Sequence, residues 1–386
     1  MTTNCTTSPS IIPLDLKPGI PKLASIYYNP TAYCNLKCSH CWIAPPYKKS
    51  FTAPNPKELT LEQVSSLYDQ GRALGLTATK LTGGEPLLRY GIKDILWLIH
   101  EKGINLQMET NATLIDKDMA SLLGRIYRED RNMFLSVSID GDEEAHEKQR
   151  GVKGCFKDTI LGVENLLEHD IHVQVIFSVN RNNRADIDRV AEICQRLRVN
   201  SMKINFVNDI ERATTLGKNN KLLSVDETLA LNQHIIEEIA PKYVFKVITN
   251  LPPAFKPIAD FACAGRCGIF GILGVLGDGS VSICGIGTST PELIVGNVKR
   301  DRLKILWEEG HVFQSIRKEV PHEFEGVCGA CVLKNRCLGE CRADAYYKKK
   351  SFKAPFDFCQ KAYEEGKFPS KWLIQTHHHS EMLVNA

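Results

Sequence analysis

The chain lacks three features that would place it in a common class of protein. Its 48 Lys and Arg residues nearly balance its 45 Asp and Glu residues, so the net charge of +3 gives no reason to expect a nucleic-acid partner. No run approaches the roughly 20 apolar residues that a membrane span needs. The first ten residues lack the basic and apolar segments of a signal peptide. We therefore expect a cytoplasmic protein that binds neither nucleic acid nor membrane.

Cysteine, in contrast, is abundant. The 386 residues include 14 cysteines, and apolar residues make up 43% of the chain. The length suits two domains, and the apolar fraction suits a sizeable core. In a reducing cytoplasm, clustered cysteines indicate metal ligands before disulfides.

Residues 23–250 alternate between strand-like and helix-like segments. The six predicted strands are short, rich in β-branched or aromatic residues and bounded by Gly, Asn or Asp; they are Ser25–Tyr33, Ala78–Thr82, Asn105–Thr110, Phe134–Asp140, His172–Asn180 and Ser201–Asn208. Amphipathic segments lie between them, and capping boxes at Thr60 and Ser224 mark two helix starts. Six β-α repeats indicate an α/β fold with a parallel sheet, either a partial barrel or an open doubly wound sheet.

The pattern changes after about residue 250, where Leu-Pro-Pro is followed by eight of the cysteines. Asp278-Gly279 between apolar runs predicts a β-hairpin. We expect an irregular arm over residues 1–22, a β/α domain over 23–250, a cysteine-rich domain over 251–365 and a tail over 366–386. The tail holds three consecutive histidines, which we interpret as part of a solvated end.

The most informative motif is a C-x3-C-x2-C spacing formed by Cys34, Cys38 and Cys41. A [4Fe–4S] cluster ligated by three thiolates keeps one iron open, and an open iron can bind a reactant. The motif follows the first predicted strand, and active sites of parallel β/α folds lie at the carboxyl ends of the strands. The alternative is a structural zinc site with His40 as fourth ligand.

A second motif, Leu-Thr-Gly-Gly-Glu-Pro at 81–86, follows the second predicted strand. Gly83 and Gly84 permit close backbone approach to a ligand, and Glu85 suits an ammonium group. Alone, this segment could be an ordinary turn. Beside the three cysteines, it favours a binding site.

Together these motifs resemble the radical S-adenosylmethionine (SAM) enzymes, over roughly residues 25–360. The resemblance implies a partial (β/α)6 TIM-like barrel whose first [4Fe–4S] cluster binds SAM. In the family's cysteine motif, the residue before the last cysteine is usually aromatic and contacts adenine; here that residue is His40. The family's third-strand motif usually contains Asn-Gly, and this chain has Asn111-Ala112 there. The residues that the resemblance assigns to the SAM site are His40, Gly83, Gly84, Glu85, Asn111, Ser138, Asp140 and Arg150.

The later cysteines resemble the SPASM domain of radical SAM maturases, which holds two auxiliary [4Fe–4S] clusters. The resemblance gives auxiliary cluster I the ligands Cys263, Cys267, Cys284 and Cys341, and gives auxiliary cluster II Cys328, Cys331, Cys337 and Cys359. Without Cys263, cluster I would have an open iron. Zinc is the alternative, since tetrahedral sulfur alone does not separate the two metals. Cys5, Cys155 and Cys194 remain; we expect Cys194 to pack in the core and Cys155 to serve packing or helix capping.

The resemblance implies an oxidoreductase or lyase that splits SAM to a 5′-deoxyadenosyl radical and modifies a ribosomally made peptide by crosslinking, oxidation or fragment excision. The alternative is a radical SAM dehydrogenase or side-chain-modifying enzyme that acts on a small molecule. Gly285 occupies the position where sulfatase-maturing relatives carry an aspartate base, which disfavours formylglycine formation. The expected partners are the peptide, a flavodoxin- or ferredoxin-type reductant and a separate leader-peptide recognition protein.

Overall fold

The protein is described by a computed structural model over residues 14, 16–258, 267–285, 287 and 290–374. Cys5, Cys263, most of the expected N-terminal arm and the three histidines of the tail lie outside the described residues. Contacts divide the chain into two units, one of residues 1–250 and 268–317 and one of residues 251–267 and 318–386. In the described part of the chain, no helix has the length and apolarity for crossing a membrane.

One mixed sheet organises the first unit. Its strands are β1 (Ser25–Tyr28), β2 (Ala78–Leu81), β3 (Asn105–Thr110), β4 (Phe134–Ser138), β5 (Val173–Val179), β6 (Ser201–Phe206), β7 (Lys246–Thr249), β8 (Ile272–Val275), β9 (Ser280–Ser282) and β10 (Gly296–Asn297). The order is β10-β9-β8-β1-β2-β3-β4-β5-β6-β7. All six predicted strands are confirmed, within a few residues at their ends.

The strand order distinguishes the two architectures that the repeats left open. Strands β1 to β7 are parallel neighbours in chain order. Right-handed crossovers that always step in one direction place their helices on one face, whereas a doubly wound sheet must reverse its order. The unit is therefore a partial barrel.

The connecting helices are α1 (Leu61–Ala73), α2 (Ile92–Glu101), α3 (Lys117–Glu129), α4 (Glu143–Arg150), α5 (Cys155–Leu167), α6 (Ile187–Leu197), α7 (Thr214–Lys218) and α8 (Val225–His234), followed by α9 (Leu303–Glu309) and α10 (His311–Glu319). Both predicted capping boxes form, at the starts of α1 and α8. The core lies between helices and sheet, where Tyr68 of α1 bonds to Thr79 of β2 (2.9 Å between hydroxyl oxygens). Lys80 therefore faces the opposite, inner side of the sheet, because side chains alternate along a strand.

The predicted hairpin forms, and its position differs from the expected domain division. Strands β8 and β9 are antiparallel around Asp278-Gly279, where Gly279 has φ +90°. β8 also pairs in parallel with β1, from Ser25↔Ile272 to Tyr28↔Val275. This pairing covers the edge that β1 would otherwise expose. Residues 268–317 consequently pack with the first unit, and the expected boundaries at 250 and 365 stay a prediction.

The second unit is built from short helices: α11 (Gly326–Gly329), α12 (Lys334–Cys337), α13 (Arg342–Lys349) and α14 (Asp357–Glu364). Arg342 is fully buried at its centre. Its guanidinium donates to the carbonyl oxygens of Phe352 and Ala354 (2.8 and 2.7 Å) and lies over the Phe324 ring. One cation thus satisfies the carbonyls of an irregular loop that has no strand partner for them.

A buried ion pair fixes the segment before α1 to the segment after β2. Arg89 forms an ion pair with the Glu58 carboxylate (3.1 Å) and donates a hydrogen bond to the Leu59 carbonyl (2.6 Å), and the Arg89 and Glu58 side chains are both buried. Replacing Glu58 with alanine is expected to lower the free energy of unfolding by about 3 kcal/mol, because the Arg89 charge stays buried without its partner. The matched control is Glu192→Ala, which breaks the exposed Arg189–Glu192 pair and is expected to cost less than about 1 kcal/mol. Equal losses in chemical denaturation would contradict this account.

Candidate functional site

The three-cysteine loop leaves the carboxyl end of β1 and is held by backbone bonds. The Cys34 N–H donates to the Pro46 carbonyl (3.1 Å), and Lys48 N–H donates to the Cys34 carbonyl (2.9 Å). Cys34 and Cys38 are buried, and Cys41 is half-buried. The loop therefore presents its sulfurs from a fixed backbone rather than from a free surface turn.

Two other elements anchor the same loop. The carboxyl end of α4 accepts bonds from Lys37 and Ser39, whose N–H groups donate to the Arg150 and Gln149 carbonyls (2.9 Å each). The Arg212 guanidinium donates to the carbonyls of Cys38 (3.0 Å) and Pro45 (3.2 Å). Sequence reasoning missed Arg212, because no motif surrounds it and its role depends on the folded position of the loop.

The two glycines at the end of β2 are required by the cysteine loop itself. A Cβ on Gly84 would lie 1.9 Å from the Tyr33 carbonyl oxygen, and a Cβ on Gly83 would lie 2.5 Å from the Asn29 side chain. The Glu85 N–H donates to that same Tyr33 carbonyl (2.9 Å). The pair thus permits close packing of this turn against the chain that leads into the cysteines.

The Glu85 carboxylate joins β2 to β3. It is buried and accepts bonds from the Thr110 hydroxyl (2.7 Å), the Asn111 N–H (2.8 Å) and the Leu87 N–H (3.2 Å). The Asn111 amide in turn donates to the Asn35 side chain of the cysteine loop (2.8 Å). Ala112, at the position usually occupied by glycine, adopts φ +61°, so the turn keeps a left-handed conformation without a glycine.

A buried charged group lies on the other side of the loop. Asp140 forms an ion pair with Arg150 (2.7 Å between carboxylate oxygen and Nη2) and accepts a hydrogen bond from the Ser178 N–H (2.8 Å), and the His40 ring nitrogen lies 3.8 Å from its carboxylate. Burial lowers the His40 pKa to about 4, so its ring is neutral at pH 7. Ser138 is half-buried at the carboxyl end of β4. His40, Asp140 and Arg150 are therefore brought together.

In the second unit, four thiols share one cavity. Cys328, Cys331, Cys337 and Cys359 line it together with apolar side chains, among them Val327, Leu333 and Phe368. The Leu333 and Phe356 N–H groups donate to the sulfurs of Cys331 and Cys328 (3.4 Å each). Apolar walls and N–H groups aimed at sulfur are features of iron–sulfur sites.

The predicted ligands of auxiliary cluster I are only partly described. Cys284 follows β9 in the first unit, and Cys341 caps α13 in the second, where its sulfur accepts from the Asp344 N–H (3.4 Å). Cys267 belongs to the second unit, and Cys263 lies outside the described residues. Within the described ranges, no three His, Cys, Asp or Glu side chains are grouped to hold a metal ion. All three ligand sets therefore stay predictions.

Comparison with known proteins identifies the region that holds the first site. Residues 28–194 match the model of the radical SAM superfamily. These residues form a radical SAM domain. The chain is 27% identical over 377 residues to an AdoMet-dependent heme synthase of Oleidesulfovibrio alaskensis, covering 93% of this chain and 92% of the relative.

Two further matches are a bacteriocin biosynthesis protein and a structure solved with a precursor peptide. The subtilosin biosynthesis protein AlbA of Bacillus subtilis is 26% identical over 319 residues, covering 79% of this chain and 66% of the relative. The crystal structure of Streptococcus suis SuiB bound to its precursor peptide SuiA aligns with a TM-score of 0.68 at 18% identity, covering 88% of this chain and 76% of SuiB. Residues 28–194 thus carry a radical SAM domain, the α/β fold is that of the aligned structure, and the C-terminal part is rich in cysteines.

The residues of the radical SAM domain fit an iron–sulfur cluster. The Leu36 N–H donates to the Cys34 sulfur (3.4 Å), and Arg150 donates to the Cys38 sulfur (3.5 Å). Burial raises the pKa of both thiols, so without a metal they stay protonated and are poor nucleophiles. A bound cluster would hold them as thiolates, and the two donors suit that charge.

The inner side of the radical SAM barrel carries an ion pair that sequence reasoning did not assign to the site. Lys80 pairs with Glu109 of β3, and the Thr82 hydroxyl donates to the same carboxylate (3.0 Å). Burial would raise the Glu109 pKa, but the Lys80 ammonium and the charge of Lys203 hold it below its usual value. Lys80 lies on β2 and Glu109 on β3, the two strands that precede the predicted SAM contacts Glu85 and Asn111. The sequence signal that could have identified this pair is a charged residue within each of two neighbouring predicted strands, Lys80 in the second and Glu109 in the third.

Glu85 predicts a pH dependence of stability. Burial raises its pKa to about 7, although bonds from Asn111 and Thr110 oppose the shift. Between pH 4.5 and 7 the folded state keeps a proton that the unfolded state releases, so stability falls as pH rises through this window. We expect Glu85→Gln to lack this decline in metal-free protein, measured by chemical denaturation at several pH values. Parallel curves for wild type and variant would contradict the prediction.

Proposed function

We propose that the protein modifies a ribosomally made peptide by radical SAM chemistry, with crosslinking, oxidation or fragment excision as the outcome. When bound, SAM on a reduced [4Fe–4S] cluster would supply a 5′-deoxyadenosyl radical that removes a hydrogen atom. Cys34, Cys38 and Cys41 would hold that cluster. Gly83, Gly84, Asn111 and Ser138 lie at the ends of the strands where SAM would bind.

The observation that carries the peptide substrate is the fold match to SuiB, whose structure contains its precursor peptide. It covers most of both chains, and AlbA adds sequence similarity to a protein of bacteriocin biosynthesis. The inner face of the barrel also suits a peptide substrate, because it carries the half-buried polar side chains of Lys80, Gln107 and Glu109. A polar peptide segment could make hydrogen bonds on such a surface.

The hydrogen bonds of the Glu85 carboxylate indicate a different role from direct contact with the SAM ammonium. Both carboxylate oxygens already accept bonds from the protein. We propose that the Glu85 side chain orders the SAM-binding turn, and that backbone groups of the Gly-Gly-Glu segment meet the SAM ammonium. Asp140 and Arg150 form an ion pair with each other. We propose that this pair stabilises the position of His40 and does not itself contact SAM.

The four thiols of the second-unit cavity are proposed to hold auxiliary cluster II, and Cys263, Cys267, Cys284 and Cys341 to hold cluster I. If the substrate radical must lose an electron, these clusters would accept it. The remaining proposed partners are a flavodoxin- or ferredoxin-type reductant and, for a leader-bearing peptide, a separate recognition protein. Full turnover of the peptide by the lone enzyme would argue against the recognition protein.

A second candidate is modification of a tetrapyrrole, and one observation favours it. The AdoMet-dependent heme synthase matches nearly end to end, with 93% of this chain and 92% of the relative aligned. AlbA aligns over a smaller share of its length. A small-molecule substrate would need no leader-recognition protein.

One experiment separates the two candidates. Anaerobically reconstituted enzyme is given SAM and dithionite, with either short peptides encoded beside its gene or an iron-containing tetrapyrrole that carries carboxylate side chains. We expect 5′-deoxyadenosine to form and one peptide to change mass. A mass change in the tetrapyrrole alone would replace the peptide proposal with the second candidate. No 5′-deoxyadenosine from cluster-loaded enzyme with any substrate would contradict both.

A further inference from the structure

Arg150 occupies an unusual place for a residue that the resemblance assigns to the SAM site. Its guanidinium is buried and points at the cysteine loop, with Nη1 donating to the Cys38 sulfur at 3.5 Å. Nη2 lies 2.7 Å from the Asp140 carboxylate. One side chain thus joins a predicted cluster ligand to a buried carboxylate.

The surrounding groups leave the guanidinium as the cation in contact with that sulfur. His40 and His146 face Asp140 instead, and the His40 ring nitrogen lies 3.8 Å from the Asp140 carboxylate. The His146 Nδ1 atom accepts from the Asp140 N–H (3.1 Å), which places a lone pair there. Arg212 approaches the same loop, but it donates to carbonyl oxygens.

The backbone holds Arg150 in this position independently of its side chain. The Arg150 carbonyl accepts from the Lys37 N–H (2.9 Å), so α4 and the cysteine loop are already joined at the residue before Cys38. Gly151 follows with φ +72°, and a Cβ there would lie 2.9 Å from the Lys37 carbonyl. The guanidinium can therefore keep its distance to the sulfur without relying on the salt bridge alone.

We propose that Arg150 is a positioning residue that raises the reduction potential of the cluster held by Cys34, Cys38 and Cys41. Reduction adds negative charge to the cluster and its sulfurs. A permanent cation that donates to one sulfur stabilises the reduced state more than the oxidised state. Asp140 orients the guanidinium and offsets part of its charge, so the pair sets the potential jointly. The inference rests on the proposed cluster and is independent of which substrate is modified.

The test measures the midpoint potential of this cluster by redox titration with electron paramagnetic resonance. A variant with Cys34, Cys38 and Cys41 all replaced by alanine provides the background signal of any other clusters, which is subtracted. At a fixed ambient potential, Arg150→Gln is expected to lower the ratio of reduced to oxidised cluster about tenfold, equivalent to about 59 mV for one electron. Arg150→Lys should lie between, because an ammonium keeps the charge but cannot bridge both partners. The control is Arg189→Gln, at an exposed position.

Each outcome decides the proposal. A lower midpoint in both Arg150 variants, with iron content equal to wild type, supports it. An unchanged midpoint in Arg150→Gln overturns it, even if the proposed function holds. If Arg150→Gln fails to retain iron, Arg150→Lys decides, and a midpoint equal to wild type overturns the proposal. If wild type shows no signal beyond the background variant, the predicted cluster itself is absent, and the proposed function fails with it.

Discussion

Replacing Cys34, Cys38 and Cys41 together with alanine is expected to remove about four of about twelve irons per chain and to abolish cleavage of SAM. The reason is that the open iron of a three-thiolate cluster is where SAM would bind. The sulfurs sit on a loop that the backbone, α4 and Arg212 all anchor. Iron and sulfide counts after anaerobic reconstitution, with chromatography for 5′-deoxyadenosine, measure both effects.

The chain offers a matched control within the same apolar cluster. Cys155 is buried beside Leu36 and Cys38, yet no cluster motif includes it. Cys155→Ala should therefore keep all the iron and the cleavage of SAM. Retention of full iron by the triple variant would remove the basis of the proposed function. Loss of iron in Cys155→Ala would show that its thiol is a ligand.

Adding a single methyl group at Gly84 is expected to disrupt the site as severely as removing a ligand. Its Cβ would lie 1.9 Å from the oxygen and 2.6 Å from the carbon of the Tyr33 carbonyl, so backbone must move. We expect Gly84→Ala to lower the free energy of unfolding by more than about 3 kcal/mol, at the upper end of overpacking costs. The moved backbone leads directly into Cys34, so cluster loading should fall as well.

Gly271→Ala provides the comparison, because a Cβ there meets its nearest atom, the Ala24 Cβ, at an ordinary 3.4 Å. It should keep both stability and iron content. Chemical denaturation and iron counting apply to both variants. A stable Gly84→Ala protein with full iron content would show that the turn is not packed against the cysteine loop as described.

Local sequence signals predicted the repeated part of the fold well. The six strands, both capping boxes and the Asp278-Gly279 hairpin are confirmed, because each depends on residues that are neighbours in the chain. The pairing of β8 with β1 joins residues about 250 positions apart, and no local pattern encodes such a partner. The same limit applies to Arg212, whose bonds depend on where the loop folds.

The sequence by itself determined the chemistry that this protein can hold: thiols at C-x3-C-x2-C spacing, a Gly-Gly-Glu turn after the second strand and a second cysteine group, each set by residues close in the chain. Only the tertiary structure decided what surrounds those groups. In the folded chain, the Glu85 carboxylate accepts a hydrogen bond from Thr110 of β3, and the Arg150 guanidinium donates to the Cys38 sulfur. Lys80 of β2 forms an ion pair with Glu109 of β3. The physical reason is that hydrogen bonds and ion pairs between distant segments depend on distances in the folded chain.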